Sequence, residues 1–311
     1  MTEMTKAMYH NPVLLEESVN GLNIKEDGVY VDVTFGGGGH SKHILKQLGS
    51  EGKLFAFDQD EDALANTLGD PRFTLINENF RFIRQFLKFY GIRKVDGILA
   101  DFGVSSHQFD KAERGFSTRF EADLDMRMSK RNLLSAYDVV NKYDYDDLRK
   151  VLFQYGDLRN ANAMAKTILA KREEEPIKTT DRLKEVLRSF LPNAKEHKIL
   201  AQIYQAIRIE VNQEIAVIEE FLLQTPELLD VGGRLSIISY HSLEDRLVKR
   251  FIREGQFQGE APKDFYGNID VPFKKVGPLI VPSKEEIAQN NRARSAKLRI
   301  AERIEKVNLK N

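Results

Sequence analysis

The strongest chemical signal in the chain is Asp32-Val33-Thr34-Phe35 running into Gly36-Gly37-Gly38-Gly39-His40. Glycines let a backbone take positive φ and approach a ligand closely. A helix that opens just after them offers free N–H groups. The bland alternative is a tight turn between two elements. A P-loop would need Gly-Lys-Ser/Thr, but the residues here are Gly39-His40-Ser41, which disfavours nucleoside triphosphate hydrolysis. A dinucleotide fingerprint is disfavoured too. Counted from Gly36 its sixth position is Ser41, although that position tolerates small residues.

Two acids extend the pattern. Asp58 follows Lys53–Phe57 and stands twenty-two positions after Gly36. An acid at such a strand end accepts hydrogen bonds from ribose hydroxyls. Its competing role is an N-cap for a helix over Asp60–Leu68. Asp101 follows Val95–Ala100 and leads into Phe102-Gly103-Val104-Ser105-Ser106. Taken alone, it reads as a cap or a surface carboxylate.

These residues need a scaffold that gathers them. Val29–Phe35, Lys53–Phe57, Phe73–Ile76 and Val95–Ala100 read as short apolar strands. Between them His40–Leu48, Asp60–Leu68 and Phe80–Tyr90 read as helices, the last burying Phe82, Ile83, Phe86, Leu87 and Tyr90. Alternating strands and helices imply an α/β fold with a parallel sheet, whose ligands sit beyond the carboxyl ends of the strands. From about Ser106 to Lys198 no strand is expected. Helices are read at Asp144–Phe153, Asp157–Lys171, Thr180–Leu191 and Ile199–Leu223, with Asp157 and Thr180 as N-caps. Strand character returns at Gly233–Tyr240, and a basic helix follows over Leu243–Ile252. Phe273–Val281 and Ala296–Ile304 read as a closing pair, the first an edge strand because of its prolines. The expected division is residues 1–106 with 199–311 as one domain, and 107–198 as a helical insertion.

Composition narrows the chemistry. The chain has 311 residues, with Lys+Arg and Asp+Glu both 47, so any contact with nucleic acid must be local. Cysteine is absent, which excludes disulfides, cysteine-ligated metals and thiol nucleophiles. No histidine–carboxylate spacing demands a metal. The first residues lack an apolar signal region and no window is apolar enough to span a membrane, so a cytoplasmic protein is expected.

An acid four residues ahead of G-x-G (Asp32, Gly36, Gly38), then a ribose acid, then an acid–aromatic pair resembles the Rossmann-like class I S-adenosylmethionine-dependent methyltransferases. The segments TFGGGGHS, ADFGVSSHQFD, ERGFS, LDMRM, SIISYHSLEDRLVKRF and NNRARSAKLRIAER resemble the ribosomal RNA small-subunit methyltransferase H family, also called MraW. The match spans roughly residues 8 to 304. It implies a class I methyltransferase sheet with an inserted all-helical subdomain that serves RNA recognition. It also implies S-adenosylmethionine as cofactor and N4-methylation of a cytidine in the decoding centre of 16S rRNA, within the small ribosomal subunit. It leaves a homodimer open.

The resemblance implies cofactor contacts at Gly38, Gly39 and His40, at the ribose acid Asp58, at Phe80 beside the adenine, and at Asp101 and Gln108. Phe102 and His107 depart from the leucine and proline common in that segment, without replacing a contacting residue. A lone phenylalanine such as Phe80 also fits a core role.

Cytosine N4 is a poor nucleophile, because its lone pair is delocalised into the ring. Acceptors beside the amine hold its N–H bonds and stabilise developing positive charge. Asp101 and the carbonyls of Phe102–Val104 are candidates, and Phe102 fits stacking on the base and core packing equally. His241 is a weaker candidate, since a histidine is more often structural than a general base, and it is raised by its position after a sheet strand. A chain without cysteine cannot methylate cytosine C5 through a thiol adduct, whereas an exocyclic amine needs no covalent intermediate. For RNA contact the candidates are Tyr240 or His241 by stacking and Arg246, Lys249, Arg250 and Arg253 by phosphate pairing. Arg292, Arg294, Lys297 and Arg299 form a second basic group. A solvated helix face is the alternative for Arg246–Arg253. Glu121–Asp125 is expected to dock against arginines. The rival functions are a small-molecule methyltransferase with a helical lid, an NAD-dependent oxidoreductase, and a non-catalytic sensor of S-adenosylmethionine.

Overall fold

The computed structural model describes residues 12–261 and 269–305. They fall into two compact units. One joins Met1–Gly103 to Val217–Asn311, and the other is Val104–Ala216.

The first unit is built on strands β1 (Val29–Asp32), β2 (Lys53–Phe57), β3 (Phe73–Ile76), β4 (Val95–Asp101), β5 (Leu229–Ser239), β6 (Phe273–Ile280) and β7 (Lys297–Arg303). They form one seven-stranded sheet in the order β3-β2-β1-β4-β5-β7-β6. The pairs among β1 to β5 are parallel, and β7 runs antiparallel between β5 and β6. The result is an open, doubly wound α/β sheet with one antiparallel strand. The helices of the unit are α1 (Leu15–Asn20), α2 (Gly39–Leu45) and α3 (Ile83–Phe89). Helices α4 (Ser106–Asp110), α5 (Ala136–Lys142), α6 (Tyr145–Gln154), α7 (Ala161–Glu174), α8 (Thr180–Val186) and α9 (Glu196–Asn212) follow in the other unit. The chain returns through α10 (Glu214–Leu228), α11 (Ser242–Glu254) and α12 (Lys284–Gln289).

The inner strands are apolar on both faces because helices cover both. Val31, Phe55, Ile98 and Ile237 point to one face, packing with Ile83 and Leu87 of α3, Phe221 of α10 and Val248 and Phe251 of α11. Tyr30, Leu54, Ala56 and Leu99 point to the other, against Val19 of α1 and Ile44 and Leu45 of α2. The strand period of two distributes the side chains this way. The strand order reverses at β1: β2 and β3 build outward on one side, then β4 and β5 on the other. A ligand crevice opens at such a switch point, beyond the strand carboxyl ends. The register puts Asp32 beside Ala56 of β2 and Leu99 of β4, so the three strands end at one rim.

The helical unit has its own core, including Leu148, Leu152, Ile168 and Leu183. Leu200, Ile203, Ile207 and Val211 of α9 belong to that core. The unit therefore runs to Ala216, beyond the expected return at residue 199. Among the described residues its only strand-like pairing is an isolated bridge between Asp123 and Thr179. The expected Ile199–Leu223 helix is two helices, broken where Gln213 takes φ 52°. Asp157 is not a cap but sits at φ 51°, and Thr179 rather than Thr180 caps α8 by accepting from Arg182 N. Asp125 pairs with Arg127 at 2.8 Å, as the acid-rich segment led one to expect.

Two local features also differ from expectation. Asp60–Leu68 is a 3-10 helix over Glu61–Asn66. A second 3-10 turn, Phe80–Phe82, precedes α3 and turns Phe82 outward, 43% exposed, while Ile83 and Leu87 are fully buried. Tyr90 is also half-exposed. β6 lies at the sheet edge, as expected. Its pairing is irregular between Val276 and Ile280, where Gly277 and Pro278 sit. Among the described residues no helix is long and apolar enough to cross a membrane.

Candidate active site

The glycine turn is held from below by Asp32. This carboxylate is fully buried, accepts from Thr34 N at 3.1 Å and from Ser41 Oγ at 2.7 Å, and so ties the start of the turn to α2. Burial pushes its carboxyl up to about 6. Gly36 and Gly38 take φ 51° and 74°, conformations that strain residues with a Cβ. A Cβ on Gly38 would lie 2.8 Å from Phe35 Cε2, and one on Gly39 would overlap Pro12 Cγ. Asn66 Nδ2 donates to Gly36 O at 3.0 Å, a support that no local pattern announces.

Asp58 meets this turn directly. Its Oδ2 accepts from Gly36 N and its Oδ1 from Asp60 N, both at 2.8 Å. The N-cap of the following 3-10 helix is Asp60, which accepts from Asp62 N. The capping role weighed for Asp58 therefore belongs to its neighbour. Burial pushes the Asp58 carboxyl up to about 6, against the lowering effect of the Asp60 and Gly36 N–H groups. Each carboxylate oxygen has a second lone pair, so both remain able to accept from a ligand.

Phe80 stands half-buried at the next strand end, stacked on Phe102 with centroids 5.9 Å apart and edge-on to Phe221 at 5.3 Å. Phe102 itself is 3% exposed and sits in the core, so it is not presented to a base.

Asp101 ends β4. Its N–H donates to Thr34 Oγ1 at 2.7 Å, joining it to the glycine turn. Tyr240 Oη, from just beyond β5, donates to Asp101 Oδ1 at 2.8 Å. Burial pushes the Asp101 carboxyl up to about 6, with His40 and the Tyr240 hydroxyl acting in the opposite direction. His40 is buried with Nε2 3.2 Å from Val13 O, and burial pushes its ring down toward the neutral form.

The predicted residues therefore separate into groups. Gly38, Gly39, His40, Asp58, Phe80 and Asp101 line one rim of the sheet unit. Gln108 belongs to the helical unit, 5% exposed, where its Oε1 accepts from Ser105 N in a capping box on α4. Tyr240, read as a base-stacking candidate, enters the rim as the partner of Asp101. His241 caps α11, and its Nε2 lies 3.0 Å from Glu244 Oε1.

The basic candidates also divide. Arg246, Lys249, Arg250 and Arg253 share one face of α11 at steps of three and four, and bound a cavity of about 140 Å³. The opposite face buries Val248, Phe251 and Ile252. Arg294 is exposed and Arg292 half-buried. Lys297 and Arg299 pair with Asp245, at 3.3 and 2.8 Å. The latter two thus brace the sheet unit internally. A larger cavity of about 670 Å³ lies wholly in the helical unit, lined by Glu121, Thr179, Asp181, Arg182, Lys184, Glu185 and Arg188. None of the motif residues lines it.

Comparison with known proteins adds to this geometry. The sequence profile of the MraW methylase family matches residues 7–304. The ribosomal RNA small subunit methyltransferase H of Flavobacterium johnsoniae is 70% identical over 97% of this chain and 100% of its own length. The protein of the same name from Christiangramia forsetii is 68% identical over 95% of this chain and 98% of its own. That of Cytophaga hutchinsonii is 56% identical over 95% and 100%.

Proposed function

Since the chain belongs to the MraW methylase family, we propose that it transfers a methyl group from S-adenosylmethionine to N4 of a cytidine in 16S rRNA, acting on the small ribosomal subunit in the cytoplasm. The observation that carries this reading is the meeting of the Gly36–Gly39 turn, Asp58 and Asp101 along one rim at the switch point of the sheet.

The donor supplies, when bound, a methyl group already activated by its sulfonium. The residues of this chain fit it. Gly38 and Gly39 let the turn pack closely on Phe35 and Pro12, where a Cβ would clash, and Asp58 keeps lone pairs for ribose hydroxyls. Phe80 offers an aromatic face at the same rim for the adenine. Asp101 accepts an N–H of the target amine, steering its lone pair and stabilising the positive charge that grows on nitrogen. The chain's work is chiefly alignment and electrostatics, since the displacement is in-line. His40 stays neutral and braces the turn against Val13.

RNA recognition falls to the helical unit and to the α11 face. Arg246, Lys249, Arg250 and Arg253 are spaced for successive phosphates, and Arg292 and Arg294 add a second basic edge. A cytidine must be splayed out of its stack to reach the rim, at a cost of a few kcal/mol that contacts to the rest of the particle offset.

The test uses small ribosomal subunits lacking the modification, labelled S-adenosylmethionine and nucleoside analysis of the RNA. Label in N4-methylcytidine, with free cytidine a poor acceptor, is expected. Transfer to small molecules with none to the subunit would favour a small-molecule enzyme and overturn the reading.

A further inference from the structure

We propose that Tyr240 is a positioning residue for methyl transfer, its phenol fixing the orientation of the Asp101 carboxylate toward the amine. The inference rests on the role given above to Asp101 and goes one residue beyond it.

Tyr240 Oη donates to Asp101 Oδ1 at 2.8 Å, across a sequence separation of 139. Among the described residues it supplies the one side-chain hydrogen bond that Asp101 receives. The main chain of Asp101 is pinned separately by Thr34 Oγ1. The last side-chain torsion of an aspartate is broad, and the phenol restrains the tilt of the carboxylate plane. Tyr240 is itself held, because its N–H donates at 2.8 Å to Glu244 Oε2, a fully buried carboxylate in α11. Its ring passes Gly103, where a Cβ would come within 3.7 Å of Cδ2. Oδ1 is thereby committed to the protein and Oδ2 is left for the substrate.

The phenol also stays a donor. Burial and the neighbouring Asp101 carboxylate raise Tyr240 well above the usual tyrosine range, so it neither ionises nor acts as a base. The groups that bear on Asp101 are His40 from α2, Asp32 from β1, Glu244 from α11 and Tyr240, and Glu286 of α12 bears on Tyr240. The Tyr240 hydrogen bond favours ionised Asp101, so its removal moves the acidic limb of the rate profile to higher pH.

The experiment compares wild type, Tyr240→Phe and Asp101→Asn by single-turnover methylation of small ribosomal subunits at saturating S-adenosylmethionine across pH. Tyr240→Phe is expected to keep its S-adenosylmethionine affinity within about twofold, which also reports that it folds. Its rate should fall about tenfold near pH 6 and about threefold near pH 8, with the acidic limb displaced upward. A uniform loss at every pH with weakened cofactor binding would mark Tyr240 as structural only and overturn the inference. Wild-type rates in Tyr240→Phe beside an inactive Asp101→Asn would overturn the Tyr240 role alone. Full turnover by Asp101→Asn would overturn the role of Asp101 and this inference with it.

Discussion

Gly36 and Asp58, twenty-two residues apart, are joined by a 2.8 Å hydrogen bond from the glycine N–H to the carboxylate Oδ2. The bond makes the turn after β1 and the acid after β2 a single structure. Asp58 therefore has two tasks, shaping the turn and offering lone pairs to a ribose. A change at this residue is felt at both.

Asp58→Asn should weaken S-adenosylmethionine binding about 10- to 100-fold, the worth of one or two hydrogen bonds to a charged acceptor. The amide keeps one acceptor oxygen and loses the other. S-adenosylhomocysteine should lose as much, because the ribose is common to both. Isothermal calorimetry with each ligand checks this. A loss confined to S-adenosylmethionine would place Asp58 near the sulfonium instead.

Asp58 and Asp101 both have carboxyls raised to about 6 by burial. Below that pH they are protonated, become weaker acceptors and lose their attraction for a cationic donor. Affinity for S-adenosylmethionine should rise between about pH 5 and 7 and level off above, with protons released on binding near pH 6. The apo protein responds with the opposite sign. Asp32, raised from 3.8 to about 6, binds its proton more tightly folded than unfolded. Its contribution to stability is full below the unfolded value and lost as pH rises through about 6. Asp32→Asn should therefore cost more stability near pH 4 than near pH 7.5, by up to about 3 kcal/mol. Denaturant melts at the two pH values measure the difference.

Asn212 closes the helical unit from inside. It is 5% exposed, accepts from Met128 N at 2.7 Å and donates to Met126 O at 2.8 Å and Arg208 O at 2.9 Å. Asn212→Leu leaves buried backbone groups unpaired, each at about 1–3 kcal/mol, so a loss of about 2–4 kcal/mol is expected in chemical denaturation. A loss below about 0.5 kcal/mol would mean that the segment re-pairs elsewhere.

Much of the sheet could be read from sequence because its signals are local. Lys53–Phe57 and Phe73–Ile76 are observed at their expected limits, each an apolar run set off by polar residues. The glycine turn and Asp58 were legible because strand ends announce themselves. What was not legible depends on partners far along the chain. Nothing near Tyr240 marks it as the donor to Asp101, nor anything near Asn212 as the clasp on Met126 and Met128. The break at Gln213 lies inside a continuous helical periodicity. The expected outward charge of Arg299 is spent on Asp245, a residue over fifty positions away that reads as solvent-facing.

The α11 face tests the RNA side. Arg246→Ala with Lys249→Ala removes two exposed cations while Val248 and Phe251 keep the helix packed. Binding to a 16S rRNA fragment should weaken and the slope of log K against log salt should fall by about 1.5, with S-adenosylmethionine affinity unchanged. An unchanged slope would mark the stripe as a solvated face.

On this reading one rim holds the donor against the target amine. A crystal structure of the protein with S-adenosylmethionine tests it most directly. The ribose hydroxyls are expected on the Asp58 carboxylate, the Gly36–Gly39 turn against the ligand and the sulfonium methyl directed toward the space beside Asp101 Oδ2. A donor bound away from Asp58, or a methyl turned from Asp101, would contradict it.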